Sequence, residues 1–347
     1  MAYTTIKKPS DYFNTKLYTG NASTQSITGV GFQPDFTWIK NRDSVTGHRI
    51  IDAVRGNTKT IYTNATQGEE TVSNMMTSFD SDGFSLGNDG GVNGNGNGIA
   101  SWNWKANGAG SANTDGSINS TVSVNTTAGF SIVSYTGTGS AGATVGHGLG
   151  TTPSMIIVKN RSSSVNWSVY HKDAFTSQSA PGVLYLNTTA GKANDTNVWG
   201  NSTVTINNSV FSLGDYGGTN GSGNNLIAYC FADVQGYSKF GSYAANENTD
   251  GTFVYTGFKP AWILVKQSNL ARDWFIFDSK RDTSNVVRKQ LEANSAGVED
   301  AYDNLDFLSN GFKIRTTSAT LNDAGGTYIY MAFAEEPLVG DNPATAR

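Results

Sequence analysis

The chain has 347 residues, a net charge of −4 and only 15% charged side chains, so it carries no basic surface fit for nucleic acid. Its polarity comes instead from Asn, Ser, Thr and 40 glycines, which suits strands joined by polar turns and excludes a helical bundle. One cysteine excludes an intramolecular disulfide, and no run approaches the ~18 apolar residues of a membrane-spanning helix.

Residues 1–10 (MAYTTIKKPS) lack the apolar stretch of a secretory signal, which predicts synthesis in the cytoplasm. They are read as an attachment segment, with residues 1–16 reaching a neighbouring protein. A first module spans 11–106. Tyr18 precedes Pro34, which opens a short strand in GFQPDFTWIKN that ends at Lys40, and the lysine is read as the strand's exit to solvent. His48 follows eight residues later, then the D-x-x-R of Asp52 and Arg55, the pair Phe79 and Phe84, and a closing strand IASWNW at 99–104.

Two loops of this module offer oxygen ligands. Asp80 and Asp82 in FDSDGF, and Asp89, Asn93 and Asn95 in GNDGGVNGNGNG, raise calcium as an option. Against it, the counterpart of Asp82 in the second copy is Ser209, and no distal glutamate completes a calcium loop. The Asn/Gly loop is therefore kept as a candidate ligand-binding loop and no cofactor is assigned.

Residues 107–128 (NGAGSANTDGSINSTVSVNTTA) hold no aromatic side chain and are read as an extended polar linker. A second module, 129–235, repeats the pattern with Tyr135, Pro153, Lys159, Trp167, the pair Ile206 and Phe211, and a closing strand LIAYCF. Cys230 falls inside that strand and is read as a small buried side chain. The Asn/Gly loop recurs with Asp215, Tyr216 and Asn220. Beside it, Tyr216 or Trp199 is a candidate aromatic platform for a sugar.

A third module, 236–338, carries Tyr243, Pro260, Lys266, Trp274, Asp278, Arg281, Phe307 and Phe312, and closes on YIYMAF. In all three copies the lysine stands six residues after the proline and the flat ring (His48, Trp167, Trp274) eight after the lysine. Residues 284–293 have helix-forming composition, yet the matching part of copy two, GVLYLNTTA, predicts strand. Asp300, Asp303 and Asp306 are read as solvated turn residues, and 339–347 as a tail.

The architecture that follows is all-β: three tandem β-sandwich modules joined by a polar linker, of the jelly-roll, concanavalin-A-like kind, with an immunoglobulin-like sandwich as the second choice. No catalytic constellation emerges. His48 stands where the other copies place tryptophan, so a structural ring is expected there. His147 and His171 have no second ligand at metal spacing, and no strand carries the facing carboxylates of a sandwich glycosidase.

The strings GFSIVSYTGTG, VGHGLGTTPSMIIVKNRSSS, DGTFVYTGFKPAWILVK, TSFDSDGFSLG and ASWNWKANG resemble the repeated modules of virion proteins from marine tailed bacteriophages. The resemblance covers residues 11–338. It implies a structural or adsorption protein on the virion surface, fibre or capsid or tail decoration, with a lectin-like sandwich and no catalytic residues. Expected partners are other virion proteins, further copies of the chain as a homo-oligomer, and host surface glycan, with neither nucleic acid nor membrane. A soluble carbohydrate-binding protein is the alternative.

Overall fold

A computed structural model of the chain describes residues 4–174, 177, 181–201, 203–341 and 343–344. Among them 27 strands are joined by turns, and helix is confined to single turns at Pro9–Asp11, Gly90–Asn93 and Gly217–Asn220, so the fold is an all-β sandwich. Pairing is local in sequence. The strands of 13–104, of 111–231 and of 238–337 each build their own sheets.

Each set has a large inner sheet with a smaller layer outside it. In the first, the inner sheet runs in the order Phe13–Thr19, Gly98–Trp104, Phe36–Asn41, Arg49–Asp52, Lys59–Tyr62, Glu70–Thr71. Gln25–Thr28, Gly83–Leu86 and Met76–Asp80 pack outside it through Ile27, Phe84, Leu86 and Met76, which meet Ile39, Ile51 and Ile99. The central set has Thr144–Gly146 and Val210–Ser212 in the outer layer. In the third the sheet is continuous, and its last strands fold over so that Val254, Leu305 and Phe312 meet Ile263 and Val265.

The registers match. Phe36 lies opposite Trp104, Met155 opposite Phe231, and Trp262 opposite Phe333. Because successive side chains alternate between faces, the inner face of the central strand reads Phe36-Trp38, Met155-Ile157 and Trp262-Leu264 in the three copies. All six residues belong to one core that all three sheets share. At its centre the equivalent rings Trp104, Phe231 and Phe333 lie 5.5–6.5 Å apart, each against the other two. The sheets are therefore three walls around one apolar interior.

Four expectations change. Lys40, Lys159 and Lys266 do not exit to solvent: they are fully buried, because a residue two positions beyond Trp38, Ile157 or Leu264 falls on the same inner face. Residues 107–128 are not a free linker, since Ser111–Asn113 and Ser120–Asn125 extend the central sheet, where Val122 packs into its outer core. Of the N-terminal segment, residues 1–3 lie outside the described residues and residues 4–16 pack on their own chain: Ile6 and Phe13 enter the shared core and Thr4 lies against Gly236. Asp300, Asp303 and Asp306 sit on the strand Asp300–Leu308, with Asp306 accepting from Arg315 Nε at 2.5 Å and Asp303 paired with Arg288. The strand expected within 284–293 is present as Val287–Glu292.

Removing a ring from the centre of the shared core tests how far the sheets depend on it. Trp104→Ala is expected to cost about 3–5 kcal/mol. Denaturant unfolding followed by near-ultraviolet dichroism and by fluorescence should still give one coincident transition, because all three sheets lose the same support.

Candidate functional site

The groups with chemical potential lie mostly along three seams where neighbouring sheets meet. At the first, Lys40 Nζ donates to the carbonyls of Ser44 (3.3 Å) and Thr46 (2.7 Å) and, across the seam, to Ala296 (3.1 Å). Lys159 Nζ donates to Val165 O at 2.7 Å and across to Thr66 O at 2.8 Å. Lys266 Nζ donates to Arg272 O at 2.8 Å and across to Thr189 O at 3.0 Å. Sheet one thus reaches sheet three, two reaches one, and three reaches two. The contacts close into a ring.

The flat rings follow the same circuit. Trp167 Nε1 donates to Tyr62 O at 2.9 Å and Trp274 Nε1 to Tyr185 O at 3.0 Å. His48 in the same position accepts from Trp38 Nε1 through Nδ1 at 2.9 Å, a local bond that tryptophan could not accept. Burial, with Lys40 and Arg281 nearby, holds His48 neutral well below the usual histidine range.

Ionic clamps close two of the seams. Arg42 forks onto Glu299 (2.9 and 2.6 Å) and Arg161 onto Glu69 (2.8 and 2.9 Å), each backed by a 2.9 Å backbone bond from the glutamate amide to the arginine carbonyl. The third seam keeps the backbone bond, Lys192 N to Ser268 O at 2.7 Å, but Ser268 and Lys192 replace the arginine and glutamate.

Behind the clamps lie the buried pairs Asp52–Arg55 and Asp278–Arg281, both 2.5 Å. Their carboxylates also accept across the seams, Asp52 from Tyr229 Oη at 2.7 Å and Asp278 from Trp102 Nε1 at 3.0 Å. His171 is the counterpart in copy two. Its Nδ1 accepts from the Asp173 amide at 3.2 Å, the bond Asp52 and Asp278 make two residues on, and its Nε2 meets Tyr330 O at 3.1 Å. Donating Nε2–H to that carbonyl fixes the neutral tautomer, and burial pushes its pKa down to about 4.

The candidate ligand loops turn out to be wired internally. Asn93 is buried, donates to Ser23 O and Gly87 O, and accepts from Asn21 N. Asn220 repeats this with Ser140 O, Gly214 O and the Thr138 amide. Asn322, in the weaker third recurrence of the loop at 321–326 (LNDAGG), repeats it again with Asn248 O, Thr316 O and the Asn246 amide. Each amide pins the Asn/Gly loop to the start of its module.

Other expected groups are also committed. Asp89 caps the helical turn at Gly91 N (2.9 Å) and faces Arg49 (3.5 Å). Trp199 is wholly buried in the central outer core and cannot serve as a platform. Asn95 and Asp215 are exposed and Tyr216 is half-buried, so these three remain on the surface. Asp82 accepts from the Gly29 and Gly31 amides (2.9 and 2.7 Å), and Asp80 from the Ser78 and Ser85 hydroxyls (both 2.7 Å). Among the described residues no group of three or more His, Cys, Asp or Glu is placed to hold a metal. Pro34, Pro153 and Pro260 are buried where the central strands begin. Cys230 is buried, and its thiol is pushed far up by burial.

With this geometry, comparison with known proteins gives one match. A family model described as a domain of unknown function, DUF7483, matches residues 8–337, and the chain belongs to that family. The match runs unbroken through all three sheets and through the residues expected to be a linker. No curated protein and no solved structure matches.

The buried cations and imidazoles give the seams a signature in pH. His171 titrates at about 4 when folded and near 6.5 when unfolded, so the unfolded chain binds the extra proton between those values. The contribution of His171 is complete above about pH 6.5 and is lost as pH drops toward 4, amounting to about 3 kcal/mol. His171→Asn keeps an acceptor for the Asp173 amide and should flatten that window in urea titrations. The three lysines, lowered to about 8 by burial, act in the alkaline window: unfolded lysine holds its proton to about 10.5, so stability should rise from pH 8 to 9.5, by about 1–2 kcal/mol per site.

Proposed function

We propose that this member of the DUF7483 family is a non-catalytic structural and adhesive protein of a bacteriophage particle surface, working as a fibre or as a capsid or tail decoration. One observation carries the reading: the chemically capable side chains that recur between copies are buried framework, while the exposed loops between strands differ from copy to copy. A catalyst needs its recurring groups open to substrate. A scaffold that presents variable loops needs them closed.

Further support comes from how the chain is held together. It uses no disulfide, and its sheets are tied by a shared aromatic core and a closed ring of buried hydrogen bonds. Such a body withstands release by lysis without oxidative folding. The resemblance of GFKPAWILVK and VGHGLGTTPSMIIVKN to repeated virion modules points the same way.

Immunogold labelling of intact purified particles with an antibody to the chain tests this, and the expected result is regular surface label. Particles that lack the protein would overturn the assignment. A glycan array run on the free protein separates the adhesive role from scaffolding. Binding that Tyr216→Ala or Asp215→Ala abolishes, together with unlabelled particles, would instead make the chain a soluble lectin.

A further inference from the structure

The outer layers of the three segments differ at one equivalent edge. Ile27 opposite Phe84, Val145 opposite Phe211 and Val254 opposite Phe312 share one register, so Ser26–Thr28, Thr144–Gly146 and Phe253–Tyr255 occupy the same place in the three copies. In an antiparallel pair, the residues flanking a hydrogen-bonded pair turn their own N–H and C=O groups outward. An open edge therefore presents a row of donors and acceptors to another strand.

In the central copy the chain itself covers that edge. Ile118 N donates to Thr144 O at 2.9 Å, Thr144 N donates to Ser117 Oγ at 2.9 Å, and Ser120 Oγ donates to Gly146 O at 3.2 Å. Ile118 bridges Val145 in parallel and is buried in the same outer core. The stretch expected to be a linker is thus a strand-like cover.

The third copy has no such cover. Phe253–Tyr255 is the last strand of its sheet, with no strand beyond it among the described residues. Phe253 is 43% and Tyr255 56% exposed, two aromatic side chains in a row on an open edge. A groove of about 470 Å³ lined by Tyr255, Thr256, Gly257, Gln235 and Lys239 continues from its end. The first copy's edge carries only Ser26 and Thr28 there, with Ser26 hydrogen-bonded to Ser85 at 2.9 Å. Open edges are ordinarily blunted by charge, proline or a bulge, and this one is armed with aromatics instead.

We propose that Phe253–Tyr255 is a docking edge that captures an extended segment of a partner protein by β-strand addition. The occupant repeats in trans what Gly116–Ile118 does in cis. It is a short extended stretch with a β-branched residue opposite Val254 and apolar side chains beside Phe253 and Tyr255, where the cis cover has Ser117 and Asn119 beside Thr144 and Gly146. Main-chain hydrogen bonds supply the affinity, and the aromatic pair selects the side chains. This inference does not depend on placement on a particle.

Two fluorescent peptides titrated with the full chain test it: the cis sequence NTDGSINST (residues 113–121), and the same peptide with Ser117→Val and Asn119→Val. The valine peptide should bind saturably and at least ten-fold more tightly than the cis peptide. Phe253→Thr with Tyr255→Thr, which gives the edge small side chains like those of the central copy, should weaken it at least ten-fold, and Phe253→Lys should do the same, with dichroism unchanged in both. Absence of saturable binding by either peptide, or binding untouched by these substitutions, would overturn the proposal. Concentration-dependent dimers abolished by the same substitutions would also overturn it, by assigning the edge to a second copy.

Discussion

Everything in this chain depends on the burial of three aromatic sheet faces against one another. Trp104, Phe231 and Phe333, each opposite another large side chain on its central strand, meet at the centre, and each of the three faces is covered chiefly by the other two. At roughly 25 cal/mol per Å² of apolar surface, leaving one such face in water would forfeit far more than the net stability of an ordinary domain. The copies therefore form one interior rather than three beads on a string.

A shared interior makes the polar groups at its margin costly unless they are satisfied. The lysines sit at the end of the inner faces, and each finds backbone carbonyls on its own loop and on the next sheet. The cross-seam bonds from Trp167, Trp274, Trp102 and Tyr229 serve the same need. Where copy two has lost the Asp–Arg pair, neutral His171 supplies both a donor and an acceptor, so the seam stays satisfied without burying a lone charge. Among the described residues, the seam between sheets three and two has neither the Arg–Glu clamp nor this ion pair. It is the least ionic of the three.

Much of the fold was legible because period-two alternation and internal repetition are local signals. The proline-entered strands, the closing runs and the flat-ring position could be read by laying the chain on itself. The lysines were misread from their place at the strand end, although parity with Trp38 already put Lys40 on the inner face. What joins the copies was not legible, because Arg42 and Glu299 are 257 residues apart and nothing local marks them as partners. Among the candidate loop residues, Asn93 and Asn220 proved to be clamps and Trp199 core, since polarity and aromaticity alone do not distinguish a satisfied group from an available one. The linker was misjudged for a related reason. Ser, Thr and Asn suit an edge strand that leans on a neighbour as well as they suit a free chain.

The central claim is that no copy can stand without the others, and the thermal unfolding of residues 107–235 expressed alone tests it most directly. With Phe130, Ile132, Trp167, Tyr229 and Phe231 stripped of their partners, the fragment should show no cooperative monomeric transition. A monomer that melts cooperatively at the temperature of the full chain would contradict the account.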